Sequence, residues 1–189
     1  VYASGYFDGP AKFGNLPPVA NAAGDTEGYF LELDSDGNVV RLVTLEGSAS
    51  NDERIIGVIT DNECNYYVAG YFSSPNANFG TFPLQLPNLT TRAMFIYKFN
   101  QSGSLIWNGN AWGDGARASS VDCTNLGIRY VSGQPVVVVV GTFTRYIRAG
   151  INASGIYEQS VGGVAPRPYF VTYNVAGFPS LAANSTQPG

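Results

Sequence analysis

The 189-residue chain contains no histidine, and that absence removes several chemistries at once. A Ser-His-Asp triad, a Cys-His nucleophile pair and any His-bearing metal site are excluded. Charge is scarce as well: 13% of residues are charged, 10 basic against 14 acidic, and the isoelectric point is near 4.6. A chain so poor in Lys and Arg lacks the basic stripe that neutralises phosphates, so nucleic acid is not expected as a partner. No apolar run is long enough for a transmembrane segment; Pro135 to Val140, with its five valines, falls far short. Helical periodicity never extends beyond a turn or two.

Glycine, proline, tyrosine and phenylalanine are plentiful, at 23, 11, 12 and 11 residues, and 44% of the chain is hydrophobic. That is enough apolar material for a substantial core, and the composition is that of turn-rich, all-β, extracellular proteins. The sequence opens at Val1 inside an apparent strand, without an initiator Met or signal peptide, which reads as a processed secretory product or a fragment. The expected location is extracellular or at the cell surface.

Three stretches repeat one another: Tyr2-Ala-Ser-Gly5-Tyr-Phe7, Tyr67-Val-Ala-Gly70-Tyr-Phe72 and Val138-Val-Val-Gly141-Thr-Phe143. Aromatic and β-branched residues favour a strand, and a glycine inside one marks a bulge or a close backbone approach. A second landmark follows each: Phe30 to Gly37, Phe95 to Gly103 and Phe170 to Gly177, where an apolar strand runs into a glycine turn. The turn glycines lie 66 and 74 residues apart, a spacing that means an array or propeller of short strands and long loops. The units span approximately residues 1–53, 54–117 and 118–180, with a C-terminal tail at 181–189.

Val58-Ile-Thr-Asp61-Asn-Glu-Cys-Asn65-Tyr-Tyr-Val-Ala-Gly70-Tyr-Phe72, followed by Phe79-Gly80 and by Phe95-Ile-Tyr-Lys-Phe-Asn100-Gln-Ser-Gly103, resembles the bacterial β-propeller repeat family. The likeness is strongest over residues 1–107. It implies four-stranded antiparallel blades and a secreted or surface location, and it carries no shared catalytic residue. The expected fold is therefore all-β, with about three propeller-like units and a ring not closed within the chain. A β-sandwich with an exchanged edge strand is the alternative. The first unit lacks a leading strand and the last a convincing fourth, so unpaired edges invite self-association. Val1, Tyr2, Ala3, Ser4, Gly5, Tyr6 and Phe7 form the candidate assembly strand.

Other candidate sites compete with plainer roles. Asp34, Asp36 and Asn38 offer oxygens at alternate positions, a weak calcium pattern, but a hairpin turn explains the same residues. The acidic pairs Asp61/Glu63 and Asp52/Glu53 have the residue types of a glycosidase without the required separation. Cys64 and Cys123, the only cysteines, lie in corresponding regions of consecutive units and form a candidate disulfide, with free thiols or intermolecular pairing as alternatives. Sequons at Asn88, Asn100, Asn152 and Asn184 are glycosylation candidates. Trp112, beside Gly113-Asp114-Gly115, has the face and polar neighbours of a glycan-stacking residue, or it packs at a corner. No cofactor is implied. The reading that follows is a non-catalytic extracellular structural subunit joined by edge-strand pairing, with a glycan-binding module as the alternative.

Overall fold

The computed structural model describes every residue except 22–24, 49–50, 87–89, 114–117, 152–153, 161–163 and 184–189. The described chain is all-β, and its strands form three antiparallel sheets, the last two joined through a parallel contact into one ten-stranded sheet. The first sheet has the order β1 (Tyr2–Asp8), β2 (Thr26–Leu33), β3 (Val39–Glu46), β6 (Asn76–Phe79) and β7 (Phe82–Gln85). The middle sheet runs β4 (Arg54–Thr60), β5 (Tyr66–Phe72), β8 (Thr90–Phe99), β9 (Leu105–Trp112), β12 (Tyr146–Ile151) and β13 (Ser154–Ser160). The last sheet runs β10 (Ser119–Val131), β11 (Gln134–Phe143), β14 (Arg167–Tyr173) and β15 (Pro179–Ala183). All pairs within the three sheets are antiparallel. A short parallel contact, Ser119 with Thr90 and Ser120 with Arg92, ties the last sheet to the middle one.

The repeated turns arise from one local device. In each, an Asp or Asn side chain accepts backbone N–H bonds from the residues beyond it, and the fourth residue adopts positive φ. Asp34 accepts from the amides of Asp36 and Asn38, and Asn174 from those of Ala176 and Phe178. Gly37, Gly103 and Gly177 have φ of 83°, 82° and 86°, a region where a Cβ would be strained. Asp61 builds the same turn before β5, with Cys64 in the glycine place at φ 60°.

The strand glycines have a different cause. β4 and β10 each carry a bulge, between Ile55 and Gly57 and between Cys123 and Asn125. Nearby, a Cβ on Gly70 would lie 2.0 Å from the Arg54 carbonyl oxygen, and one on Gly141 would lie 1.8 Å from that of Asp122. Only glycine admits that approach.

The sheets stack face to face, and two clusters of buried side chains fill the spaces between them. Phe30, Leu45, Tyr66, Val68, Phe95, Tyr97 and Phe99 are among those filling the first. Rings stack across it from Tyr2 to Phe30, Phe30 to Tyr66 and Tyr66 to Phe99, at centroid distances of 5.6, 5.4 and 5.2 Å. The second holds Tyr67, Ala69, Met94, Ile96, Trp107, Val137, Val139 and Val171. Successive residues of β5 and β8 therefore serve opposite cores, as the period of two requires, and every residue of β5 is buried.

The long loops contain structure that the sequence reading leaves out. Residues 76–85 form the hairpin β6–β7, which departs from the middle unit and pairs with β3 of the first sheet, Leu45 opposite Phe79. Residues 146–151 and 154–160 form the antiparallel pair β12–β13, which departs from the last unit and pairs through β12 with β9 of the middle sheet. Each unit thus reaches back to extend its predecessor. Among its described residues, the corresponding segment of the first unit carries one bridge, Ala11 with Val19. Its Phe13 packs on Tyr29 at 4.8 Å, much as Phe79 packs near Phe95 at 6.1 Å.

The candidate assembly strand already belongs to a folded sheet: β1 pairs with β2 along its whole length, and Tyr2 is wedged between Phe30 and Tyr66. One expectation needs correction. The last unit does have a fourth strand, β15, which runs beyond residue 180 and pairs with β14.

Candidate functional site: the two ends of the sheet stack

Shared turns and glycines put the three units in register, so equivalent residues can be compared directly. Phe30, Ile96 and Phe170 each stand four residues before the Asp or Asn that opens a turn. The first two are covered by the next sheet and are 1% and 0% exposed, whereas Phe170 is 47% exposed. Fully burying such a side chain contributes roughly 1.5–3 kcal/mol, about half of which Phe170 forgoes in the isolated chain. The outward side chains of β11 are Val136, Val138, Val140 and Thr142, all half-buried, between inward residues that are fully buried. Phe170 borders two grooves on this face, of about 680 and 290 Å³. The larger is lined by Thr124, Val140, Thr142, Pro168 and Ala182, the smaller by Arg129, Val138 and Thr172. The lining is mostly apolar, in the manner of a sheet face that lacks a cover.

The opposite end of the stack is the outer face of the first sheet. Ala3, Phe7, Tyr29, Leu31 and Leu33 are half-buried there. Their counterparts in the middle unit, Val68, Phe72, Phe95, Tyr97 and Phe99, are at most 1% exposed. Gly5 repeats the comparison along the strand edge. Gly70 and Gly141 are approached by the carbonyls of β4 and β10, while Gly5 meets only the Tyr29 ring. Among the described residues no strand pairs with the second edge of β1.

Polar groups lock neighbouring sheets together along the stack. Arg54 lies over the Tyr6 ring at 4.0 Å and bonds Asp52 at 2.7 Å. Arg92 lies over Tyr71 at 4.3 Å and bridges Asp52 at 3.0 Å to Asp122 of the last sheet at 2.7 Å. Burial pushes the Tyr71 phenol up to about 12, so it stays protonated and donates to Asp52. Deeper in, Asp61 accepts from Tyr67, Asn65 and two backbone amides and lies 3.7 Å from the buried Lys98 ammonium. Burial alone would raise its pKa, but these hydrogen bonds prevail and hold it below the usual carboxylate range. Glu53 is fully buried and accepts from the amides of Ser73 and Ser74. Both acidic pairs considered from sequence therefore contribute to structural networks.

The remaining sequence candidates fall in separate places. Both oxygens of Asp34 already accept bonds from its own turn, from the amides of Asp36 and Asn38 and from the Asn38 side chain. Those bonds make the Asp34, Asp36 and Asn38 segment a hairpin turn. Cys64 and Cys123 are free thiols rather than a disulfide: Cys64 is exposed in its turn and Cys123 is buried in the second core. Cys123 occupies a strand, β10, whereas Cys64 occupies a turn, so the two do not hold corresponding places. Asn100 lies in a turn and its side-chain oxygen accepts from Ser102 and Ser104; Asn88, Asn152 and Asn184 lie outside the described residues. Trp112 ends β9, half-buried against the first core, and Asp114 and Gly115 lie outside the described residues. No helix in the described residues is long and apolar enough to cross a membrane.

The faces at the two ends escaped the sequence reading, although the signal was present. Phe170 and Val138 sit at repeat positions that are aromatic or aliphatic in every unit, which an alignment of the units on their turns and strand glycines would have marked.

No family model matches the chain. Among curated proteins it is similar to an uncharacterized WD repeat-containing protein of Acanthamoeba polyphaga mimivirus, 27% identical over 156 residues that cover 74% of the chain. The chain spans about a tenth of that protein's length. WD repeats build four-stranded propeller blades, and the chain described here is likewise all-β and repetitive: it is similar to a propeller-type repeat protein.

Proposed function

We propose that the protein is a non-catalytic structural subunit, extracellular or surface-exposed, that assembles with its neighbours through an unpaired sheet edge. The finer kinship with bacterial β-propeller repeats belongs to this proposal. One observation supports it: the inner edges of β5 and β11 are covered by β4 and β10, whereas among the described residues no strand pairs with the same edge of β1. An uncovered row of backbone N–H and C=O groups is a template for a strand from another chain. The role of β1 is thus that of an acceptor within a folded sheet, and deleting it would dismantle the first core.

Val1 and Leu33 exchange both backbone bonds, so the alternation of an antiparallel ladder turns the N–H groups of Tyr2, Ser4 and Tyr6 to the open edge. Ser4→Pro removes one of those donors and leaves the bonds to β2 intact. Electron microscopy with mass determination by light scattering tests the proposal. Ordered oligomers or filaments of the natural chain that Ser4→Pro disrupts, at unchanged melting temperature, are the expected result. Assembly indifferent to Ser4→Pro would refute edge pairing.

A further inference from the structure

We infer that the occupant of the exposed face of the last sheet is the exposed face of the first sheet of a second copy of this chain, stacked head to tail. The inference rests on the assembly reading above and adds the surface, the partner and the register.

The argument is one of continuity with the interfaces inside the molecule. Each interface joins the trailing face of one sheet to the leading face of the next. The trailing face of the first sheet presents Tyr2 and Phe30, that of the middle sheet Tyr67 and Ile96, and that of the last sheet Val138 and Phe170. The leading faces present Tyr97 and Phe99 in the middle sheet and Val171 and Tyr173 in the last. The first sheet presents Leu31 and Leu33. The chain therefore carries, uncovered at its two ends, the two halves of an interface it has already built twice. Both halves are apolar at the repeat positions that the internal interfaces bury. Because the two halves differ, the contact is heterologous, and copies add in one direction to close a ring or extend a filament.

A recurrent contact sets the register. Across the first interface Arg41 of β3 lies over the Phe99 ring at 6.0 Å. Across the second, Trp107 of β9 stacks on Tyr173 at 5.6 Å. Arg41 pairs with Glu32, Trp107 with Lys98 and Ser180 with Thr172, so these three occupy one repeat position. Phe99, Tyr173 and Leu33 occupy the other, each directly before the Asp or Asn of its turn. The third member of the series is then Ser180 of one copy against Leu33 of the next.

The test uses two cysteine variants in a background where exposed Cys64 is replaced by Gly, a residue its positive φ accepts. Ser180→Cys and Leu33→Cys chains are mixed in equal amounts and mildly oxidised, and Phe170→Asp is measured alongside by light scattering over a concentration series. The expected result is a disulfide-linked heterodimer formed far faster than either homodimer. Phe170→Asp should raise the concentration of half-association at least tenfold without changing the melting temperature. Assembly that persists in Phe170→Asp without the heterodimer would overturn this inference and leave the assembly reading intact. A natural chain that stays monomeric at every concentration would overturn both, and would point to further blades within a longer polypeptide as the cover.

Discussion

The middle and last sheets share a strand order, a bulge and a turn, yet one is buried on both faces and the other on one. Ile96 and Phe170 occupy equivalent positions, and the larger side chain is the exposed one. Exposure here is a property of the neighbour and not of the residue. The face of the last sheet has kept the chemistry of an interior, which is why it reads as a docking surface.

The largest expected contrast comes from truncating rings. Phe95→Ala, in the buried middle sheet, should cost about 3–5 kcal/mol through lost burial and a cavity. Phe170→Ala in the isolated chain should stay within about 0.5 kcal/mol, as surface changes do. Denaturant unfolding of both at low protein concentration measures the difference, and similar losses would mean that the last face is covered in the monomer.

The Asp turns offer a contrast nearly as large. Asp61→Ala removes the partner of buried Lys98 and an acceptor of Tyr67, at a cost of about 3 kcal/mol or more. Asp34→Ala breaks the same turn where it is exposed and should barely move the melting temperature. Equal effects would show that the turn itself, rather than the buried network, carries the stability.

The strand glycines come next. Gly70→Ala forces a methyl against the Arg54 carbonyl and should cost about 2 kcal/mol or more. Gly5→Ala meets only the tip of Tyr29, which can turn aside, and should cost under about 1 kcal/mol. Thermal melts of the two variants decide it. If β1 received a strand as β5 does, the Gly5 variant would become as costly, but only in the assembled protein.

The smallest effect concerns pH. Burial, reinforced by Glu46, Asp25 and Glu53, raises Glu27 to about 7. Its folded form holds a proton that the unfolded chain releases, so its contribution is fully present below about pH 4.5 and is lost as pH rises through about 7. Glu27→Gln should therefore raise the melting temperature at pH 8, by about 3 °C, and leave it unchanged at pH 4.5. A pH-independent difference would remove the linkage.

Much of this architecture was legible from sequence, and for identifiable reasons. Gly37, Gly103 and Gly177 repeat because positive φ admits few substitutes, and Gly70 and Gly141 because a carbonyl occupies the place of a Cβ. The hairpin β6–β7 was not read, because two strands of four residues with a proline at Pro83 leave no longer pattern than a loop does. The turn at Asp61 to Asn65 is harder to read in the sequence because Cys64 stands in the glycine place, where a cysteine signals a candidate disulfide more readily than a left-handed conformation. Trp112 looked like a ligand platform because its packing against the first core comes from another sheet.

Sequence alone determined the three-fold repetition, the all-β character and the position of each turn, since these rest on backbone constraints spanning a few residues. Tertiary structure decided which unit each hairpin joins, which face of each sheet is covered, and that Cys64 and Cys123 stay apart. Strand pairing and face packing bring together residues far apart in the chain, and the alternating pattern of a strand is the same whether its apolar side meets another sheet or water.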